Sequence, residues 1–236
     1  MIRFIPHALL TAALIGAASA NAFPTVSGMM WPVVMNPCPA GKCPAVSKGV
    51  PRPAKATPST GRIAAPVATL TFTPSIERRR ANLAAFAAKS NGDRAVAQIA
   101  VNADRIFPQL DAALASRGMK MNNLADSYAA WWISAHDVAH GLTETRPTTD
   151  YLAVGDQAAQ LLATSQIANV AASRKQELAA ALLVQIILID ISIEHAKRNP
   201  RQLRAISAVV AQGARKMGVD LSTMPLTDTG FATVGK

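Results

Sequence analysis

The chain has 236 residues, 24 Lys and Arg against 14 Asp and Glu, and only two cysteines. Its net charge of +10 is unevenly placed: residues 23–75 hold five basic residues and no acid, while residues 76–236 hold 18 basic and 14 acidic residues, a net of +4. That modest excess is what a soluble surface carries, so nucleic acid is not the partner it selects. An anionic membrane or an acidic envelope polymer remains open.

The chain begins MIRFIPHALLTAALIGAASANA, with Arg3, an apolar run from Ala8 to Ala18, and small residues at 18, 20 and 22. This pattern predicts a signal peptide over residues 1–22, cleaved near Asn21 or Phe23, and hence an exported, periplasmic or secreted protein. The apolar run is short for a bilayer span.

Residues 23–72 form a proline-rich arm. Ten of the chain's fifteen prolines fall within 23–75, which excludes helix propagation and reads as a linker, partly disordered. Two apolar patches, Met29–Trp31 and Val33–Met35, could dock on the folded part or on a partner. Cys38 and Cys43 in CPAGKC read as a small disulfide loop in an oxidising compartment. They cannot complete a tetrahedral zinc site, because no histidine lies near them.

From Thr73 the pattern turns helical. Thr73-Pro74 predicts a cap and first helical proline for a helix ending at Asn91-Gly92. A second helical region spans Asp93 to Arg117 with a break near Phe107-Pro108, a third Asn123 to His140 before Gly141, and a fourth Thr149 to Thr164. Ser173-x-x-Gln176 predicts a capping box opening a fifth helix, about 174–197. Its apolar run Leu178–Ile193 covers the whole circumference, so it is read as the central element. Asn199-Pro200 opens the sixth. The fold class is therefore all-α: a single compact bundle of about six helices over residues 73–232 around a central apolar helix.

One stretch, HDVAH (His136–His140), is a single methylene from the HExxH zinc signature. His136 and His140 share a helix side, so a zinc site or a zinc-dependent hydrolase is one reading. Asp137 is too short to replace the glutamate that activates metal-bound water. Thr143 and Arg146 occupy the glycine and third-histidine positions of the longer metzincin pattern. A third ligand would have to come from Asp190, Glu194 or His195. The competing reading is structural, with Leu124, Tyr128, Trp131, Trp132, Ala135 and Ala139 forming a buried stripe and both histidines at its edge. That reading is preferred, and no cofactor is assigned.

On the sixth helix Lys197, Arg201, Arg204 and Arg215 are read as one basic face, suited either to solvent or to an anionic surface. Asp190, amid isoleucines, must find a donor or keep its proton. No GxSxG, P-loop, dinucleotide or EF-hand pattern is present.

RRRANLAAFAAKS (78–90), NNLADSYAAWWISA (122–135) and MGVDLSTMPLTDTGF (217–231) resemble a family of exported bacterial proteins known as a domain of unknown function. The resemblance covers about residues 73–232; its most specific elements are the aromatic centre of the third helix and the closing LTDTGF. It implies an all-helical exported domain with no assigned activity. Together these readings favour a non-enzymatic role in binding or assembly in the bacterial envelope.

Overall fold

The computed structural model describes residues 70–232, apart from Asn91, Thr143, Met217 and Gly218. The signal, most of the arm and the Cys38–Cys43 pairing lie outside the described residues. Seven helices follow in order: α1 (Ile76–Lys89), α2 (Arg94–Val101), α3 (Ala103–Ala115), α4 (Leu124–Ala139), α5 (Thr148–Ala163), α6 (Ala172–Ala196) and α7 (Pro200–Lys216). Short 3-10 turns cover Gln166–Asn169 and Leu221–Thr223, and β1 (Leu226–Thr227) pairs antiparallel with β2 (Gly230–Phe231).

Caps set several of these ends as the sequence predicts. Asn123 accepts from the Ala125 amide at 3.0 Å, and Asn199 accepts from Arg201 and Gln202 ahead of Pro200. Three local expectations fail for identifiable reasons. The first helix is capped by Ser75, whose hydroxyl accepts from the Arg78 amide at 3.2 Å, and not by Thr73. The capping box at Ser173 does not form, because Gln176 is committed elsewhere: its amide donates to the Ser75 carbonyl at 2.7 Å and accepts from the Ser75 amide at 3.2 Å. One glutamine side chain thus ties the start of α6 to the start of α1.

The second helical region breaks at Asn102, and Pro108 lies inside α3. A proline ring clashes with the carbonyl four residues earlier, so the chain yields on its N-terminal side. Ending α2 at Val101 restarts the helix just ahead of that clash.

The fold also reaches back beyond Thr73. Leu70 and Phe72 are buried, the Leu70 carbonyl accepts from the Leu124 amide at 3.1 Å, and the Phe72 amide donates to the Asn122 carbonyl at 3.0 Å. The end of the arm therefore runs antiparallel to the segment that opens α4.

α6 is apolar and central, as read, and every residue from Leu178 to Ile189 is buried. It has 25 residues, and an 18-residue window within it has a mean hydropathy of 1.8, so it is long and apolar enough to cross a membrane. Of that window, 72% is buried inside the fold, where α1, α4 and α7 cover it. Each fully buried Leu or Ile contributes roughly 1.5–3 kcal/mol there.

α4 differs more from expectation. The wheel predicts a one-sided stripe, yet every residue from Leu124 to Val138 is buried. Asp126, Ser127, Ser134, His136 and Asp137 lie inside as well as the aromatic residues, because α5, α6 and α7 wrap the helix. The interior thus has two axes: α6, mostly apolar with Lys175, Gln176 and Gln185 as its buried polar residues, and α4, which carries a denser set of buried polar groups.

Candidate functional site

The C-terminal turn of α4 gathers the chemistry-bearing residues. Gly141 adopts φ 68°, its amide donates to the Val138 carbonyl at 3.0 Å, and the Leu142 amide donates to the Asp137 carbonyl at 2.7 Å. This paired closure needs a left-handed residue, which glycine adopts without a Cβ clash. It reverses the chain so that Arg146 returns to the helix it has just left.

Arg146 donates through Nε to Asp137 Oδ1 at 2.6 Å, with Nη2 also 2.6 Å from that oxygen. Its Nη1 lies 3.5 Å from Asp150 Oδ2 in the first turn of α5. His136 Nδ1 lies 3.3 Å from Asp137 Oδ1. Asp137 is fully buried, and burial alone would raise its pKa; the His136 and Arg146 hydrogen bonds and the Arg146 charge outweigh that and hold it below the ordinary carboxylate range. An ionised carboxylate only accepts, so it places the His136 proton on Nδ1.

One turn later, His140 Nε2 donates to the Leu221 carbonyl at 3.0 Å. The two imidazole rings stand 4.4 Å apart, tilted by 37°. Phe231 closes the cluster, its ring 5.1 Å from His136 and 5.5 Å from Trp132, which in turn meets Tyr128 edge-on at 5.3 Å. Gln157 of α5 holds Phe231 by its backbone: its amide donates to the Phe231 carbonyl at 2.7 Å, and the Phe231 amide donates back at 2.9 Å. Gly230 has φ 107°, and a Cβ there would stand 2.8 Å from Gln157 Oε1. The two histidines, Gln157 and the aromatic residues thus clasp the C-terminal segment onto α4 and α5.

This geometry bears on the zinc reading. His140 spends Nε2 on a carbonyl. Arg146, in the position where the longer zinc pattern has its third histidine, brings a guanidinium to 3.5 Å from His136 Nδ1. A cation beside a ligand works against a second cation. Among the described residues no three His, Cys, Asp or Glu side chains gather as a metal site. His195 is exposed, and Asp190 acts on Tyr151 instead. Burial pushes the Tyr151 phenol up to about 12, Asp137 and Asp190 add to that, and Arg117 opposes it. Burial likewise puts Tyr128 at about 12, so both phenols stay protonated at neutral pH.

The basic residues divide between two elements. Lys197 caps the end of α6 and pairs with Glu194, because α7 begins only at Pro200; it is not part of the α7 face. Arg201, Arg204 and Arg215 do share an exposed stripe of α7, with Ala205, Ala208 and Gln212 between them. Arg215 lies 3.6 Å from Asp220. Neither Arg201 nor Arg204 has an ion-pair partner among the described residues.

The sequence reading passed over Arg146, Gln157 and Phe231 as site residues. Gln157 lacks any local signal, since its partner is 74 residues away, and Arg146 has only its i,i+4 spacing to Asp150, which says nothing of Asp137 nine residues back. Phe231 had one, because the glycine before it in LTDTGF marks a backbone position that side chains avoid.

The sequence pattern of a family of unknown function, DUF6683, matches residues 43–234. No curated protein and no solved structure matches the chain.

Proposed function

The chain belongs to the DUF6683 family, and on that premise we propose that it is an exported, non-enzymatic binding domain of the envelope that meets an anionic surface through α7. The observation that carries this reading is where the unspent charge lies. The ionisable groups at the end of α4 are used in holding the C-terminal segment. α7 has no acid between Pro200 and Lys216, and its Arg201 and Arg204 are exposed and unpaired among the described residues. Its apolar side, Ile206, Val210 and Ala214, is buried in the bundle. Contact would therefore be electrostatic and salt-sensitive, without insertion of the helix.

Co-sedimentation with vesicles of anionic and of zwitterionic lipid, at low and physiological salt, tests the reading. At roughly 1 kcal/mol per basic residue near an anionic surface, Arg201→Glu/Arg204→Glu should weaken binding at least about thirtyfold. Binding that this variant leaves unchanged would sink the proposal.

A further inference from the structure

A recess of about 280 Å³ opens between α1, α3 and α6. Phe72, Phe107, Met121 and Leu183 line it, with Arg79 and Asp111 among its polar walls. Pockets for small molecules run roughly 300–1,000 Å³. This one suits a single large side chain with its neighbours better than a cofactor. The Arg79 guanidinium lies 5.0 Å over the Phe107 ring and lines the recess, with no ion-pair partner among the described residues, which supplies a cation for a ring entering it.

We propose that the occupant is the chain's own arm, with MMWPVVM (Met29–Met35) docked in the recess and Trp31 as its anchor. The arm leaves from the mouth of the site, since Phe72 and Pro74 both line it. Thirty-six residues separate Met35 from Phe72, seven of them prolines, and a proline-rich tether extends by roughly 3 Å per residue, long enough to bring MMWPVVM back to the mouth of the recess. The contact is thereby intramolecular, so it needs less affinity than the same segment would need as a free peptide.

The chemistry matches in two respects. MMWPVVM carries no charge, so burying it desolvates no ion of its own; and Trp31 is the best ring to stack on a guanidinium. This inference is independent of the α7 reading, because it concerns the opposite end of the chain.

Acrylamide quenching of tryptophan fluorescence in the full chain tests it. Trp131 and Trp132 are buried, so subtracting the Trp31→Phe variant isolates Trp31. Trp31 should be quenched at least threefold less than in a synthetic peptide of residues 25–39, independently of protein concentration. Arg79→Glu, which removes the guanidinium from the wall of the recess, and Ala180→Leu, which fills the recess, should each raise quenching to the peptide value while the far-ultraviolet circular dichroism of the native chain is retained. Three results would overturn the proposal: quenching equal to the peptide in the unaltered chain, protection that persists in both variants, or protection lost on dilution, which would assign the recess to a second copy's arm.

Discussion

Replacing Arg146 by alanine separates a buried ion pair from an incidental contact. The substitution removes both donors 2.6 Å from Asp137 Oδ1 and leaves a carboxylate with no exposed surface without its guanidinium. Removing one partner of a buried pair costs roughly 3–5 kcal/mol. Arg146 keeps 20% of its side chain exposed, so water can enter the vacated space. The low end, about 3 kcal/mol, applies. With a urea dependence of about 2 kcal/mol per molar, the unfolding midpoint should fall by about 1.5 M.

The pH dependence adds a sign. In the native chain the Asp137 pKa is lowered, so its contribution is present above the unfolded value of about 3.9 and is lost as pH falls through the folded one. Without Arg146 the largest remaining influence is burial, which raises the pKa. The Asp137 pKa moves up from its native position, so the carboxylate contributes less to stability at neutral pH than it does beside Arg146, and the deficit relaxes as acid protonates it. Urea unfolding followed by circular dichroism should show a larger deficit at pH 7 than at pH 4.5. Adding Asp137→Asn should recover most of the loss at pH 7, because no charge remains buried. A deficit below about 1 kcal/mol, or one equal at both pH values, would refute the argument.

Two further outcomes concern the same turn. Gly230→Ala forces an L-residue into a positive-φ conformation costing roughly 1–3 kcal/mol and pushes Gln157 off the Phe231 amide, whose hydrogen exchange should accelerate at least tenfold; unchanged exchange would show that Gln157 does not hold the hairpin. Zinc analysis of the purified chain and of His140→Ala should give the same zinc content, and a full equivalent lost with His140 would establish the metal reading in place of the structural one.

The sequence announced what adjacent residues decide. Asn123, Gly141 and Asn199-Pro200 act on amides or carbonyls within a few residues, and their helices start or stop where those signals lie. Ser173–Gln176 carried an equally good local signal and failed, since Gln176 bonds Ser75 across 101 residues. The wheel of α4 failed for the same reason. Polar residues on one face imply water only if no distant group satisfies them, and here the partners are Arg146, Leu221 and Phe231. The basic face was half legible, because a wheel drawn through Lys197 assumes a helix that Pro200 has not yet begun.

The burial of α6 and the burial of α4 have different consequences. α6 contributes apolar area, which is nondirectional, so a helix of similar volume and pattern could occupy its place at modest cost. α4 contributes hydrogen bonds and charge that only particular partners satisfy. Both ends of the described chain are fixed on it: Leu70 bonds its first turn, while Leu221 and Phe231 meet its last. Releasing either end leaves buried polar groups without partners, which costs more than losing the same area of apolar contact. That asymmetry explains why LTDTGF looked more distinctive than the far greasier α6. In it Thr227 donates to the Gly230 carbonyl at 2.7 Å, Gly230 supplies a backbone angle that side chains avoid, and Phe231 fills the space beside His136 and Trp132. Each of these roles tolerates few replacements, whereas a buried leucine in α6 tolerates several.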